Sequence, residues 1–344
     1  MQTPARPAWL ALAWMCCCLP PDPPDWVIAY PITWGIQTNV VADGYYSQDL
    51  GVPPGHIRAE ALPGDTVELR WFGAGPEDSE IRPPIWLLTS FGYAPFSFDG
   101  TVPNCEQPLP SLIGFCRLGE GERLRVSLGS LDALTGAGSI GYFSILAIAS
   151  DGDVNDPETC LQRAFSERNP DLLGCLMATR TIEIGPDWRL LQFHPDAEDL
   201  PEQYFNVPAN TNPIITALSV ERSSRPDEPP LRAAPGERLT VRPGEQISVT
   251  VELDADAAQE FVVLGRGPDD TFVAEPSTET LIIEARLNAL TVDYERSDDR
   301  LTHRWTAPDS PDALTFFVQV ADDRGGVGFA TLRLVSALED DETP

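Results

Sequence analysis

The sequence predicts an all-β protein that consists of two β-sandwich domains in tandem. Two runs of β-forming residues, 314–321 and 329–335, flank a Gly-rich turn at 322–326, which is the pattern of a β-hairpin. A Pro-Gly-acid turn is followed by alternating apolar and polar residues twice, at 63–71 and at 243–251, and this alternation predicts half-buried strands. With 344 residues, the chain is long enough for two domains.

A family resemblance supports this prediction and covers about the last third of the chain. The segment Trp305–Pro308 (Trp-x-Ala-Pro) precedes the hairpin, and the turn of the hairpin reads Asp-Asp-Arg-Gly-Gly. The order Trp-x-Ala-Pro, strand, Asp-x-Arg-Gly-Gly, strand resembles the last two strands of bacterial PKD-like and cadherin-like immunoglobulin domains. The resemblance implies two immunoglobulin-like (Ig-like) sandwiches. The whole pattern resembles the uncharacterised Ig-like lipoproteins of high-GC Gram-negative bacteria, a family that brings no activity to carry over.

The N-terminus has the features of an export signal. A single Arg precedes a short apolar core, 9–15, which is far shorter than the ~20 residues of a transmembrane helix. Cys16, Cys17 and Cys18 follow directly, and this placement resembles a bacterial lipoprotein signal, in which the Cys is acylated. Met15 is larger than the small residue that usually precedes such a Cys, so ordinary signal-peptide cleavage is the alternative.

Four further cysteines predict disulfide bonds: Cys105, Cys116, Cys160 and Cys175. An even number of cysteines in an exported chain is typical of a disulfide framework, and four cysteines allow three pairings. We predict the sequential pairing, in which each bond closes a short loop and contributes about 3 kcal/mol in the chain-entropy model. A zinc site is the alternative, but no Cys-x-x-Cys spacing and no nearby His supports it.

The first domain, 31–185, is predicted to be the larger one. Its predicted strands are 31–41, 66–71, 84–90, 122–128, 140–149 and 178–184. Asp156 is followed by Pro at the first helical position, which predicts a short helix that the Cys160–Cys175 bond would staple. A long Pro-rich loop, 92–115, contains Cys105, so a disulfide would pin this loop.

The second domain is predicted to span 212–337 and to contain no Cys. Before the closing hairpin, its predicted strands are 214–220, 238–241, 246–253, 260–264 and 281–286. Its core is predicted to combine two groups of residues on facing sheets: Trp305, Phe316, Val318 and Val320 on one, and Ile247, Val249 and Val251 on the other. The remaining segments are an export signal at 1–20, a Pro/Asp spacer at 21–30, a partly packed linker at 186–211 and an acidic tail at 338–344.

The charge of the chain excludes several classes of partner. Its 53 acidic and 23 basic residues give a net charge of −30, and such a surface repels nucleic acid and anionic lipid. Every basic residue is Arg. The absence of Lys excludes Schiff-base catalysis and the lysine of a phosphate-binding P-loop.

One acidic segment is a candidate calcium site. Asp151, Asp153, Asn155 and Asp156 supply alternating oxygen ligands, which suit this hard ion. The Asp-x-Asn-Asp portion resembles the linker motif of cadherins. An EF-hand-type loop needs Gly at its sixth position and Glu at its twelfth, where this chain has Asp156 and Gln162. A helix cap explains Asp156 equally well, and we prefer it. No other cofactor is predicted.

No motif in the chain defines a catalytic site. The Gly-x-Gly-x-x-Gly match at 136–141 is followed by a β-rich run instead of a helix, so it predicts a turn and not a dinucleotide site. The three histidines lie far apart in sequence and are expected on the surface or in loops: His56, His194 and His303. The acidic pairs at 254–256 and 322–323 are the weaker metal candidates, and we expect turns or solvated faces there.

Three functions remain. The first is a non-enzymatic, lipid-anchored surface protein with a structural or adhesive role at the outer membrane or cell surface, or else a periplasmic or secreted one, with a protein or polysaccharide partner at the envelope. The second is a secreted hydrolase with a catalytic first domain and an accessory PKD-like domain, and the third is a polysaccharide-binding module. Trp71, Trp86 and Tyr93 could form a sugar platform, but each lies in or beside an apolar run, which predicts core packing. A buried acid beside His56 or His194 would favour the enzyme.

Overall fold

The computed structural model describes residues 27–336, apart from 77–78, 90–101, 113, 132–141, 153–154, 167–171, 192–199, 270, 289–293, 298–300 and 308–313. None of the helices in these described parts is long and apolar enough to span a membrane. The chain forms two β-sandwiches that pack against each other, together with one separate two-stranded hairpin.

In the part of the chain that the structure describes, seven strands build the N-terminal sandwich. They are β1 (Ile32–Ala42), β2 (Thr66–Ala74), β3 (Ile81–Thr89), β4 (Cys116–Glu120), β5 (Arg123–Ser127), β6 (Tyr142–Asp151) and β7 (Cys175–Glu183). A three-stranded sheet in the order β1-β2-β5 faces a four-stranded sheet in the order β4-β3-β6-β7. Trp71 and Trp86 are buried between the sheets, and the indole of Trp86 donates a hydrogen bond to the carbonyl of Gly121 at 2.7 Å. Core packing of these two residues is thereby confirmed, whereas Tyr93 lies outside the described residues.

A helix and two disulfides within the described residues enlarge this sandwich. Helix α1 (Pro157–Ser166) begins after Asp156, as predicted, and packs Leu161 and Phe165 on the outer face of β3 and β6. The bonds Cys105–Cys116 and Cys160–Cys175 are both present, with Cα–Cα distances of 5.1 and 5.5 Å, which confirms the sequential pairing. Disulfides indicate an extracytoplasmic protein.

The described residues of the C-terminal half form eleven further strands. They are β8 (Ile215–Arg222), β9 (Leu231–Ala233), β10 (Arg238–Val241), β11 (Gln246–Leu253), β12 (Glu260–Arg266), β13 (Phe272–Thr278), β14 (Ile282–Leu287), β15 (Tyr294–Arg296), β16 (Thr302–Thr306), β17 (Leu314–Ala321) and β18 (Val327–Ser336). A five-stranded sheet, β15-β16-β11-β8-β9, faces a four-stranded sheet, β10-β18-β17-β14, and β12 pairs with β13 alone.

The strand order of the C-terminal sandwich is Ig-like. Strands β8, β11, β16 and β15 correspond to the A-B-E-D sheet of an immunoglobulin domain, and β18, β17 and β14 to its G-F-C sheet. The β12–β13 hairpin is inserted between the strands that correspond to B and C. The predicted fold class, two Ig-like sandwiches with an enlarged first one, is confirmed. The predicted closing hairpin is also confirmed, since β17 and β18 pair antiparallel from Leu314↔Leu334 to Ala321↔Val327.

The same turn precedes β2 and β11, as the two Pro-Gly-acid motifs predict. Gly64 and Gly244 have φ angles of +85° and +70°, a region that favours glycine. The carboxylate of Asp65 then accepts the backbone N–H three residues earlier, at 2.7 Å, and that of Glu245 does the same at 2.9 Å. Each acid therefore closes its own turn and fixes the start of the strand.

Two predictions about the C-terminal core need correction. Trp305 lies on β16, opposite Ile247 of β11, so both belong to one sheet and not to facing sheets. The facing partner of Trp305 is Phe316 of β17, whose ring stacks on the indole with centroids 5.0 Å apart. His303 is not a surface or loop residue: it lies two positions before Trp305 on the same strand face, is fully buried, and hydrogen-bonds the hydroxyl of Tyr294 at 2.7 Å.

The segment predicted as a partly packed linker contains a short helix, α2 (Asp187–Leu191), and a 3-10 helix at Glu202–Asn206. Its last residues, Ala209 to Asn212, are buried. This segment belongs to the contact between the two sandwiches.

We predict that Trp305→Ala lowers the free energy of unfolding of the fragment 212–337 by about 3–5 kcal/mol, because a fully buried aromatic side chain is lost from the core. The measurement is a denaturant melt followed by circular dichroism. Phe317→Ala is the control, since Phe317 packs on Trp34 of the other sandwich and lacks this partner in the fragment. Equal losses in the two variants, or a disordered wild-type fragment, would contradict the prediction.

Candidate functional site

Aromatic side chains form one part of the junction between the sandwiches. Phe72 of β2 stacks on Phe329 of β18 with ring centroids 4.0 Å apart, and Trp34 of β1 lies 6.2 Å from Phe317 of β17. A Cβ atom at Gly35 would lie 2.5 Å from the ring of Phe329, so only glycine allows this approach of the strands. The apolar contact thus joins β1 and β2 to the closing hairpin.

Amide side chains form a second part of the junction. The side-chain amide of Asn212 donates to the carbonyl of Thr38 at 2.7 Å and to the side chain of Asn39 at 2.9 Å, while its oxygen accepts the N–H of Val327 at 2.8 Å. Gln37 adds a hydrogen bond to the carbonyl of Val327 at 2.7 Å. Because Asn212 is buried, these bonds satisfy groups that water cannot reach.

The hairpin turn of the C-terminal sandwich carries the third part of the junction. The carboxylate of Asp322 accepts the N–H groups of Gly326 at 2.7 Å and Arg324 at 2.9 Å, and the amide of Asn210 at 3.2 Å. Gly325 has φ +94°, and a Cβ at Gly326 would lie 2.1 Å from Asp322 and 2.8 Å from the carbonyl of Thr211. The Asp-x-Arg-Gly-Gly motif therefore shapes a turn that directs Arg324 into the junction.

Arg324 is the centre of this buried site. Its guanidinium lies 3.1 Å from the carboxylate of Glu279, donates to the carbonyl of Pro208 at 3.0 Å, and lies 3.5 Å from the carboxylate of Glu60. The central carbon of the guanidinium also lies over the ring of Phe261, 4.9 Å from the ring centroid. Its partners come from the N-terminal sandwich, the linker and the β12–β13 hairpin, so a single side chain contacts all three.

Burial perturbs the two carboxylates that face Arg324. It raises the pKa of Glu60 from an ordinary 4.5 to about 7, against the opposing effects of Arg324 and of the N–H of Asn210, which donates to Glu60 at 2.7 Å. Burial likewise raises the pKa of Glu279 to about 7, although the N–H of Gln259 and the guanidinium of Arg324 oppose the shift. A single guanidinium does not compensate for the desolvation of both acids.

Further ionisable groups surround this pair. Burial raises the pKa values of Glu183, Asp187 and Asp322, and raises the pKa of Tyr204 to about 12. Burial lowers the pKa of Arg180, which donates to the carbonyl in the hairpin turn. Such clusters of perturbed groups occur at functional sites and in structural ion networks alike. Here the groups point at one another across the junction.

The structure brings His56 to Asp254 and Asp256, a pair that the sequence gives as a weaker metal candidate with a turn or solvated face expected. Residues 57–59 bond the backbone of residues 210–212, and this places His56 beside Thr211, whose hydroxyl lies 3.4 Å from Nδ1. Nε2 lies 3.6 Å from the carboxylate of Asp254, whose side chain is 35 % exposed, while that of His56 is 5 % exposed. The N–H of Asp256 donates to the same carboxylate at 3.1 Å, which confirms the turn.

The predicted calcium ligands have other partners where the structure describes them. Both carboxylate oxygens of Asp156 cap α1, since they accept the N–H and the hydroxyl of Thr159 at 2.8 Å each. This confirms the predicted helix cap and accounts for a pKa of Asp156 below its usual range. Asn155 donates to the carbonyl of Leu173. Asp151 ends β6 and Asp153 lies outside the described residues, so the calcium site stays a prediction.

The remaining candidates from the sequence fall on residues that the structure does not describe. The proposed lipidation sites at 16–18, the Gly-rich stretch at 136–141, Tyr93 and His194 all lie outside the described residues. A groove of about 420 Å³ beside β8 and β9 contains Arg222 and Arg225, but Glu228 pairs with them at 3.5 and 3.3 Å. This groove therefore offers largely compensated charge.

Comparison with known proteins assigns no family to the chain. No family model and no curated protein sequence matches it. Among solved structures, it is similar to the fibronectin(III)-like modules of Clostridium thermocellum CbhA, with 7 % identity, a TM-score of 0.19, and coverage of 90 % of this chain and 99 % of that one. It is also similar to the tandem Ig repeats of Dlar, with 12 % identity, a TM-score of 0.22, and coverage of 80 % and 92 %. TM-scores this low carry no functional argument.

We predict that Arg324→Met lowers the free energy of unfolding of the full chain by about 3–5 kcal/mol, because it leaves Glu60 and Glu279 buried without a countercharge. Arg232→Met is the matched control: its pair with Glu252 is exposed, so at most about 1 kcal/mol should be lost. Denaturant melts measure both. Adding Glu60→Gln and Glu279→Gln to Arg324→Met should restore part of the loss. An Arg324→Met protein as stable as the control would contradict the central role of this side chain.

We also predict a pH effect of defined sign. Glu60 and Glu279 bind protons more tightly in the folded than in the unfolded chain, so their contribution is fully present below pH ~4.5 and is lost as the pH rises to about 7. For Glu60 the loss amounts to about 3 kcal/mol at ~1.4 kcal/mol per pKa unit. Urea melts between pH 4.5 and 8 should show a smaller decline in the Glu60→Gln, Glu279→Gln variant than in the wild type. Parallel curves would show that these two acids do not titrate in this range.

Proposed function

We propose that this chain is a non-enzymatic protein of the bacterial cell envelope, anchored by lipid on Cys16, Cys17 or Cys18, with a structural or adhesive role. The observation that carries the proposal is the buried junction around Arg324, which joins the two sandwiches into one body. A structural or adhesive element has to transmit force between its anchor and its partner. A junction with aromatic, amide and ionic contacts resists bending better than a flexible linker does.

The N-terminal end of the described chain supports the proposal. Val27 forms a parallel bridge with Leu287 of β14, and the N–H of Ile28 donates to the carbonyl of Leu287 at 2.7 Å. Both Val27 and Ile28 are buried. The last part of the predicted spacer, 21–30, is therefore held by the C-terminal sandwich, although it leads directly into β1 of the N-terminal one. A tether at this position would load both sandwiches together.

The two disulfides and the negative surface support an extracytoplasmic setting for this role. Disulfides persist outside the cytoplasm, and a net charge of −30 keeps the body away from anionic lipid headgroups. The lipid would then be the part of the protein that enters the membrane. Its partner at the envelope would be another protein or a polysaccharide.

We predict that the full chain, expressed in a Gram-negative host, takes up a palmitate analogue and fractionates with membranes. A Cys16→Ala, Cys17→Ala, Cys18→Ala variant should lose the label and leave the membrane fraction. A variant with both Cys105→Ala and Cys116→Ala is the control and should keep the label, because these residues form a disulfide. A wild-type product that is unlabelled and cleaved elsewhere would contradict the anchor.

The role itself is tested by deleting the gene and measuring detergent resistance and surface attachment of the cells. The wild-type gene should restore any defect, and the Cys-to-Ala variant should not. Purified protein should show no turnover of ester, glycoside or peptide substrates. If the protein turns over a substrate, and Asp254→Asn or His56→Gln abolishes that turnover, the secreted hydrolase replaces this proposal. If the protein is retained on a polysaccharide column and the deletion causes no attachment defect, the polysaccharide-binding module replaces it.

A further inference from the structure

We propose that His56, Asp254 and Asp256 together bind one divalent metal ion, such as Zn²⁺, across the junction of the two sandwiches. One imidazole nitrogen and one oxygen from each carboxylate all lie within 4.8 Å of one another. Among the described residues, these three form the group of His and acidic side chains whose potential metal-binding atoms lie this close together. None of these three residues contacts Arg324 directly, and none belongs to the calcium candidate at 151–156.

The distance between His56 and Asp254 fits two ligands of a common ion. The Nε2–Oδ1 separation of 3.6 Å is too long for a charge-assisted hydrogen bond, which spans about 2.7–2.9 Å. Zinc–nitrogen and zinc–oxygen bonds of about 2.0–2.2 Å place two ligands of a tetrahedral site roughly 3.4 Å apart. The separation between His56 and Asp254 therefore needs an adjustment of only a few tenths of an ångström to admit an ion between these two ligands. A ligand oxygen of Asp256 lies within 4.8 Å of both.

The orientation of the imidazole also suits metal binding. Nδ1 faces the hydroxyl of Thr211 at 3.4 Å, and in the tautomer with its proton on Nδ1 the lone pair of Nε2 faces the carboxylate of Asp254. A hydrogen bond from the second ring nitrogen is the usual way in which a metal-binding His is held. The side chain of His56 is already 95 % buried, so binding an ion would cost little further ordering.

The ligand set selects the class of ion. An imidazole with two carboxylates suits zinc, cobalt or manganese, whereas calcium and magnesium prefer ligands that are all oxygen. Three protein ligands leave a fourth position open to water. His56 belongs to the N-terminal half, whereas Asp254 and Asp256 follow β11 of the C-terminal sandwich, so the ion would cross-link the two.

Titration of the purified, metal-free full chain with Co²⁺ and Zn²⁺ in 0.15 M NaCl tests this inference. Calorimetry should show one tight equivalent, and bound Co²⁺ should give visible absorption bands of a low-coordinate nitrogen–oxygen site. Asp256→Asn and His56→Gln should each weaken binding at least tenfold. Asp227→Asn, which removes one exposed acid of the C-terminal sandwich away from the site, is the matched control and should bind like the wild type.

Three results would overturn the inference. The first is a wild-type chain without a tight equivalent of either ion. The second is full affinity in His56→Gln, which would reduce the site to surface carboxylates. The third is equal affinity in Asp256→Asn and Asp227→Asn, which would assign binding to overall charge. Because Asp256 is exposed, its variant should keep the wild-type unfolding midpoint in the absence of metal, and circular dichroism checks that a lost affinity is not lost folding.

Discussion

The relative placement of the two sandwiches depends on the burial of one guanidinium group. Removing Arg324 from water is costly unless its donors find acceptors, and the acceptors are Glu279, Glu60 and the carbonyl of Pro208. Each comes from a different part of the chain: the end of the β12–β13 hairpin, the N-terminal sandwich and the linker. The cost of leaving any one of them unpaired therefore fixes three segments against the hairpin turn at once.

The sequence was sufficient to predict the local part of this junction, which is the hairpin and its turn. Two runs of β-forming residues and the Gly-rich turn between them predicted β17 and β18, and the Asp-x-Arg-Gly-Gly order marked the turn itself, because short-range backbone needs are visible in neighbouring residues. The role of Arg324 was not predictable in this way, since Glu60 lies 264 positions away. The same holds for His56, which the fold alone brings to Asp254. The turn itself does not require an Arg at position 324. Its presence between an acid and two glycines was the one signal in the sequence that this side chain makes a tertiary contact.

The strands that were not predicted have a weak sequence signal for physical reasons. Strands β9 and β15 are three residues long, too short for a period to show, and β13 contains Pro276, a residue that argues against a strand except at an edge. The linker was predicted to be packed in part because it retains aromatic residues, and Tyr204 is indeed buried. What composition could not reveal is that its last residues hydrogen-bond residues 57–59 and belong to the junction itself.

The junction also allows one sandwich to support the other. The N-terminal sandwich carries two disulfides, each of which limits the freedom of its unfolded chain, whereas 212–337 contains no Cys and relies on burial in its core. When the C-terminal sandwich unfolds, the N-terminal sandwich loses the aromatic, amide and ionic contacts of the junction. Unfolding of either half thus destabilises its neighbour through the same contacts. The stability conferred by the disulfides is thereby shared with the half that has none, and the pair can behave as a single cooperative body under load.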